Sequence, residues 1–231
     1  MKTLQLLENG HQFEALLFDM DGTLVDSEPQ TGQAIEQLLG QYNIPDASLP
    51  TRLTSGQSWA SIVLSLEEKY PPSKGIDDLE EKLIAKWDEL VRDAPVAIPG
   101  APQAVEEASK LFSVGVVSSS PRYLIDLLLQ GIGVQDWVPE GARVGGDQVT
   151  QPKPEPEGFL KCAEILGVAP GKCLVFEDSI AGLTAAKAAG MKSVLITETC
   201  MDMDICLPFA DDAVQNYTQL PTHFWRQLSS R

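Results

Sequence analysis

The second half of the sequence constrains the fold most, because from Pro99 onward short apolar runs alternate with segments of helical periodicity. The apolar runs predict strands at 114–117, 142–144, 173–176 and 193–196, and the segments between them predict helices at 101–111, 122–130, 156–166 and 180–189. A further apolar run at 15–18 predicts a strand near the start of the chain. Such β-α alternation implies an α/β fold with a mostly parallel sheet covered by helices on both faces.

The segment that precedes this alternation has helical periodicity throughout. A helix is expected to begin near Pro29, since proline suits a first helical turn and Ser27 with Gln30 resembles a capping box. Two more helices are expected at 58–70 and 77–92, where apolar residues recur at helical spacing. Their apolar stripes are typical of core packing, so we assign them a structural role.

Two aspartates, Asp19 and Asp21, directly follow the strand expected at 15–18. Side chains two residues apart in an extended segment point to the same face, so both carboxylates can reach one ligand. Gly22 allows the backbone to turn sharply after them, and Thr23 can bond exposed backbone or a phosphate oxygen. Taken alone, the pattern is equally consistent with an acidic turn that closes a strand.

Other polar residues also come directly after predicted strands. Ser118 follows one apolar run, and Glu177 and Asp178 follow another. In open parallel sheets, ligands bind beyond the carboxyl ends of the strands, at a topological switch point. We therefore expect these three residues and Asp19 to lie along one edge of the sheet.

Four motifs occur along the chain in a fixed order. They are Asp19-Met20-Asp21-Gly22-Thr23-Leu24-Val25-Asp26-Ser27-Glu28, Val116-Val117-Ser118-Ser119-Ser120-Pro121-Arg122, Gln151-Pro152-Lys153-Pro154-Glu155-Pro156, and Val175-Phe176-Glu177-Asp178-Ser179 leading into Gly182. Together they resemble the haloacid dehalogenase-like (HAD) superfamily, in particular its Mg-dependent sugar-phosphatase and β-phosphoglucomutase-like branch. The resemblance implies a Rossmann-like core at 1–25 and 95–231, with an α-helical cap domain inserted at 26–94.

By this resemblance, Asp19 is the nucleophile that forms an aspartyl-phosphate, and Asp21 is the general acid and base. The resemblance also implies a Mg²⁺ site formed by Asp19, the Asp21 carbonyl, Asp178 and, directly or through water, Glu177. Oxygen ligands of this kind are those that Mg²⁺ takes in proteins. By itself, a Glu-Asp pair before a helix would be a helix cap favoured by the helix dipole, and here the two roles can coincide.

The same resemblance implies a phosphate cradle. Lys153 supplies a positive charge to the nucleophile and the phosphoryl oxygens, and its flanking prolines stiffen the loop. Ser118 and the backbone N–H of Ser119 complete the cradle, while Ser120 and Arg122 are candidates for extending it. Without the motifs, a single lysine would be assigned to solvent and the serines to a polar turn.

The chain is strongly acidic, with a formal net charge of −16 at pH 7. Repulsion between this charge and phosphates argues against nucleic acid and anionic membranes as partners. The expected partner is a small phosphorylated metabolite held by local groups. No apolar stretch approaches a membrane span and no leader pattern opens the chain, so we expect a cytoplasmic protein, monomeric or weakly dimeric. The four scattered cysteines and two histidines give no zinc-binding pattern.

The motifs also separate neighbouring reactions of the superfamily. A dehalogenase needs neither a second acid nor a metal, so Asp21, Glu177 and Asp178 argue against it. A mutase of the β-phosphoglucomutase type would need a cationic cap residue for the second phosphate of its substrate. The segment 54–59 resembles that cap loop but carries Trp59 where the mutase pattern has arginine, although Arg52 lies nearby.

A histidine that the family usually has after the first motif is also missing, with Gln30 and Thr31 in that region. Both departures favour a hydrolase that acts on a small phosphomonoester such as a sugar phosphate. The phosphosugar mutase is the alternative. A third hypothesis is a HAD-like binding or regulatory module without catalysis, which loss of the nucleophile or the acid would indicate, and neither is lost.

Overall fold

The computed structural model describes residues 4–54, 57–92, 95–221 and 223–229. Ser55 and Gly56 of the predicted cap loop, and residues 93–94 at the predicted domain boundary, lie outside the described residues. The predicted α/β fold is confirmed, since six strands form one parallel sheet among many helices.

The strands are, in chain order, β1 (Ala15–Phe18), β2 (Val25–Asp26), β3 (Val96–Ala97), β4 (Ser113–Val117), β5 (Arg143–Val144), β6 (Cys173–Glu177), β7 (Lys192–Ile196) and β8 (Asp212–Val214). The parallel sheet has the order β5-β4-β1-β6-β7-β8, and β2 and β3 pair separately. The chain builds one side of β1 with β4 and β5 and the other side with β6 to β8. The strand order therefore reverses at β1, where ligand sites of such sheets are found.

The central strand β1 is buried along its whole length. Leu16 and Phe18 belong to the larger hydrophobic core, whereas Ala15 and Leu17 belong to a smaller core on the opposite face of the sheet. A strand buried on both faces has a continuous apolar sequence, which explains why this strand could be predicted.

The helices are α1 (Gln5–Glu8), α2 (Glu28–Gln41), α3 (Trp59–Lys69), α4 (Leu79–Arg92), α5 (Ala101–Ser109), α6 (Arg122–Gly131), α7 (Glu157–Leu166), α8 (Ile180–Ala188), α9 (Met203–Cys206) and α10 (Phe224–Leu228). The helices predicted from periodicity agree with α3 to α8 within about two residues at each end.

A two-stranded antiparallel ribbon joins helices α2 to α4 to the sheet. Val25 pairs with Ala97 and Asp26 pairs with Val96, so the chain enters and leaves this helical segment at one place. Within the segment, α4 packs against both α2 and α3. The ribbon lies close to the expected boundaries at 25 and 95, and the division into a core and a cap domain remains a prediction.

The capping box predicted for the start of α2 is wrong. Ser27 is the N-cap residue but makes no side-chain capping bond, because its hydroxyl donates to Asp21 instead. Six further elements were not predicted, namely α1, α9, α10, β2, β3 and β8. Each has only two to five residues, too few for a clear periodicity. Among the described residues, no helix combines the length and apolar character that crossing a bilayer requires.

Candidate active site

The predicted site residues do meet at one edge of the sheet. Phe18 is in register with Val116 of β4 and Phe176 of β6, so the ends of three neighbouring strands lie side by side. Asp19 directly follows β1, and its backbone N–H donates to the carbonyl of Phe176 at 3.0 Å. Ser118 follows β4, while Glu177 ends β6. The parallel register thus brings residues about 100 and 160 positions apart into one site.

Lys153 reaches this edge from the loop before α7. Its Nζ lies 2.5 Å from Asp19 Oδ1 and 2.7 Å from Glu177 Oε1, and it also donates to the carbonyl of Val117 at 3.2 Å. The lysine side chain is only 6% exposed, and its ammonium lies 5.0 Å from the centre of the Phe159 ring. The solvent position considered for this lysine is therefore wrong, because its ammonium bridges two buried carboxylates.

Burial dominates the electrostatics of this pair. Burial, reinforced by Glu177 and Asp21 and opposed by Lys153, raises the pKa of Asp19 to about 8. Burial acts against the charged form of Lys153, but the carboxylates of Asp19 and Glu177 outweigh it and hold the pKa of the ammonium above its ordinary value. Lys153 is therefore a permanent positive charge at the site.

Three buried carboxylates, those of Asp19, Glu177 and Asp178, place one oxygen each within 4.8 Å of one another. Lys153 Nζ pairs with two of these carboxylates, those of Asp19 and Glu177. Buried charges of one sign are costly unless they are paired or bind a metal. The close approach of three carboxylate oxygens suits a hard divalent cation, which prefers oxygen ligands.

Two glycines are required by this arrangement. Gly22 has φ +83°, and a Cβ there would lie 2.2 Å from Asp178 Oδ2. A Cβ at Gly182 would lie 1.6 Å from Glu177 Oε1. Both positions therefore exclude any side chain, because the two carboxylates occupy that space.

Glu177 and Asp178 are fixed by different contacts. Glu177 Oε2 accepts from the backbone N–H groups of Asp178 and Ser179 at 2.8 and 2.7 Å and from the Ser179 hydroxyl at 2.9 Å. Asp178 Oδ1 accepts from the Thr23 hydroxyl at 3.2 Å. The N-cap of α8 is Ser179, whose Oγ accepts from the N–H of Gly182. Ser179 therefore has the N-cap role that the sequence suggested for Glu177 and Asp178.

Asp21 is held by three serine hydroxyls. Ser27 donates to its Oδ1 at 2.7 Å, and Ser118 and Ser120 donate to its Oδ2 at 3.0 and 3.1 Å. Sequence reasoning missed the role of Ser27, which it assigned to a helix cap. Sequence reasoning also predicted that Ser118 binds the substrate phosphate. In the structure its hydroxyl donates to Asp21 and accepts from the backbone N–H of Ser120.

A cavity opens over these residues and is lined on its other side by the helical segment. Asp19, Asp21, Ser119, Ser120 and Lys153 contribute to its floor. Arg122, named as a possible extension of the site, is not among the lining residues. Its guanidinium bonds Asp126 and the carbonyl of Arg143 instead.

Comparison with known proteins identifies relatives of this chain. Residues 13–190 match the family model described as haloacid dehalogenase-like hydrolase. The chain is 30% identical to hexitol phosphatase B of Escherichia coli K12, across 90% of this chain and 95% of that protein. It is 31% identical to the fructose-1-phosphate phosphatase YqaB of the same organism, across 79% of this chain and 96% of that one. A Thermotoga maritima structure provisionally named a β-phosphoglucomutase superposes with a TM-score of 0.69 at 29% identity, covering 87% and 94% of the two chains.

Proposed function

The chain belongs to the haloacid dehalogenase-like hydrolase family, and we propose that it is a Mg²⁺-dependent phosphatase that hydrolyses a small phosphomonoester, such as a sugar phosphate, through an aspartyl-phosphate. The observation that carries the proposal is the buried group of Asp19, Lys153, Glu177 and Asp178 beside Asp21. Relatives named as phosphatases of hexitols and of fructose 1-phosphate support the same class of substrate.

In the first step, a carboxylate oxygen of Asp19 attacks the phosphorus and the bond from phosphorus to the ester oxygen breaks. The leaving alkoxide takes a proton from the Asp21 carboxyl group, which lies on the same side of the strand end. Lys153 Nζ pairs with Asp19 and donates to a phosphoryl oxygen as negative charge develops there. The products of this step are a free alcohol and a phosphoryl group on Asp19.

The two carboxylates Asp19 and Asp178 are the proposed cation ligands, together with the carbonyl of Asp21. Bound Mg²⁺ would neutralise charge on the substrate phosphate and orient it. Glu177 already has Oε1 on Lys153 and Oε2 on three donors, so its proposed contact is through water.

In the second step, the Asp21 carboxylate removes a proton from water as the water oxygen attacks the phosphorus. The bond between phosphorus and Asp19 breaks, inorganic phosphate leaves, and the proton remains on Asp21 for the next cycle. The hydroxyls of Ser27 and Ser120 beside Asp21 can donate to its ionised form and accept from its protonated form, so they serve both steps. Ser118 and Ser119 bind the phosphate once Ser118 releases Asp21.

Transfer to water, rather than to a second sugar hydroxyl, is favoured by the cavity lining. A phosphosugar mutase must hold a second phosphate, and no lysine or arginine of the helical segment is among the residues that line the cavity within the described part of the chain. The mutase stays a competing candidate because of the T. maritima relative.

The test is phosphate release with Mg²⁺ from a panel of hexose and hexitol monophosphates, with isomerisation of β-glucose 1-phosphate followed in parallel. We expect release from monophosphates without isomerisation. Isomerisation with little release would replace the proposal with the mutase, and inactivity in both assays would contradict enzymatic function.

A further inference from the structure

The helical segment faces the catalytic carboxylates with a lining that has no ionisable side chain among its described residues. This lining consists of Thr31, Thr54, Gln57, Trp59, Ile62 and Trp87. The charged groups that line the same cavity are Asp19, Asp21 and Lys153, which all belong to the reacting side. A bound phosphomonoester would therefore place its phosphate against charged groups and the rest of the molecule against neutral ones.

Arg52 lies two residues before Thr54 of this lining. It borders a neighbouring cavity with Asp178, Ser179 and Asp202, and Gln57 lines both cavities. Two acidic residues accompany it there, so its charge already has carboxylates nearby. Arg52 is not among the residues that line the cavity over Asp19.

Two tryptophans form the apolar part of the lining. The rings of Trp59 and Trp87 meet edge to face, with centroids 5.8 Å apart and planes at 72°. Trp59 is 6% exposed and Trp87 is 1% exposed, so both rings are fixed by packing. The Ser58 hydroxyl accepts from the backbone N–H of Ser61 and caps α3. This contact fixes the start of the helix, where Trp59 is the first residue.

The indole N–H of Trp87 has no hydrogen-bond partner among the described residues, although it is buried. A buried donor without an acceptor is costly, and most such groups in folded proteins are satisfied by protein, water or ligand. Gln57 and the threonines add further neutral hydrogen-bonding groups to the same lining. The surface thus combines a flat apolar face with several uncharged polar atoms.

We propose that Trp59 and Trp87 select the leaving group, which is an uncharged polyhydroxylated chain or ring. Its carbon-bound hydrogens pack on Trp59, and one of its hydroxyls accepts from the Trp87 N–H. A second phosphate or a carboxylate on the leaving group is rejected, because this surface would bury its charge without a partner. This inference rests on the proposed phosphatase activity and names its substrate class.

The test compares kcat/KM for four probes, which are sorbitol 6-phosphate, fructose 1,6-bisphosphate, 2-phosphoglycolate and acetyl phosphate. We expect the wild type to prefer sorbitol 6-phosphate over both charged probes by at least about tenfold, the scale of one lost buried contact. Trp59→Arg should shift the ratio of bisphosphate to monophosphate by about tenfold or more toward the bisphosphate. Leu64→Arg is the matched control, because it adds the same charge to the exposed side of the same helix and should leave the ratio unchanged.

A wild type that prefers the bisphosphate or phosphoglycolate, or a Trp59→Arg enzyme that behaves like Leu64→Arg, would overturn the inference. If Trp59→Arg does not fold, Trp87→Phe decides, since it removes the N–H and keeps an aromatic ring. It should lower kcat/KM for sorbitol 6-phosphate by about tenfold relative to acetyl phosphate, and an unchanged ratio would count against the inference. Acetyl phosphate has a small leaving group. If the enzyme hydrolyses acetyl phosphate but shows no preference among the other three probes, only this inference is rejected. If it hydrolyses none of the four probes, the proposed phosphatase activity itself is rejected.

Discussion

Lys153 Nζ lies 2.5 Å from Asp19 Oδ1, although 134 residues separate the two in the chain. The same ammonium lies 2.7 Å from Glu177 Oε1, so one side chain connects the ends of β1 and β6 to the loop before α7. Both ion pairs are buried. This contact therefore serves the stability of the site and its proposed chemistry together.

Replacing this lysine should damage both properties. Lys153→Met should lower turnover by at least about a hundredfold, because a fixed positive charge at the phosphoryl oxygens is lost. It should also lower the free energy of unfolding by about 3 kcal/mol, because buried carboxylates lose their partner. Steady-state kinetics and urea unfolding measure the two effects. Lys172→Met, at an exposed position, is the control, and normal activity together with normal stability in Lys153→Met would contradict the assignment.

Replacing Gly182 or Gly40 with alanine should change the free energy of unfolding in opposite directions. Gly182→Ala should lower the free energy of unfolding by about 2 kcal/mol or more, because its Cβ would lie 1.6 Å from Glu177 Oε1. Gly40→Ala lies in the exposed part of α2 with no atom near its Cβ, and it should raise stability by about 0.5–1 kcal/mol. Thermal and urea unfolding compare them, and equal effects would show that the Glu177 position is not rigid.

Adding Mg²⁺ should stabilise the protein, because the cation would bind among the three buried carboxylates of Asp19, Glu177 and Asp178. At about one hundred times its dissociation constant, a ligand that binds only the folded state adds about 2.7 kcal/mol to the free energy of unfolding. Asp178→Asn should lose most of this increment, whereas Asp136→Asn, on an exposed turn, should keep it. Unfolding curves with and without Mg²⁺ give the increment directly. The proposed ligand set fails if Asp178→Asn gains as much as the wild type.

The serine contact to Asp21 predicts an effect that depends on the leaving group. Ser27→Ala should lower kcat/KM for a sugar phosphate by about tenfold. The reason is that Asp21, the proposed general acid, loses the 2.7 Å hydrogen bond from the Ser27 hydroxyl that orients it. The variant should leave kcat/KM for acetyl phosphate nearly unchanged, since acetate needs no proton to leave. Ser109→Ala serves as the control, because it removes a hydroxyl that donates to the carbonyl of Glu106 within α5. An equal loss with both substrates would assign Ser27 a purely structural role.

The sheet and its edge could be predicted from sequence because buried parallel strands have continuous apolar runs. The bounds of β1 agree with the prediction at 15–18, and Asp19, Ser118 and Asp178 follow strands as expected, while Glu177 is the last residue of β6. Strand β8 could not be predicted in this way, because its three residues begin with an aspartate at the edge of the sheet.

The contacts of Asp21 could not be predicted from local sequence. Ser118 and Ser120 lie 97 and 99 residues away, and only the folded sheet brings them to this carboxylate. Ser27 was misassigned because its spacing to Gln30 fits a capping box equally well, and the choice depends on where the strand end places Asp21. The roles given to the site residues, like the domain division, stay predictions that the experiments above address.

The central claim is that Asp19 carries the phosphoryl group. The most direct measurement is to mix the Asp21→Asn variant with Mg²⁺ and acetyl phosphate, quench with acid, and locate the added phosphoryl mass in the peptides by mass spectrometry. This variant should form the intermediate and hydrolyse it slowly, because the base for the second step is missing. The account predicts one phosphoryl group on Asp19, lost when Asp19→Asn is added to the variant. Phosphate release by Asp19→Asn at the rate of the wild type, or a phosphoryl group on another residue, would contradict it.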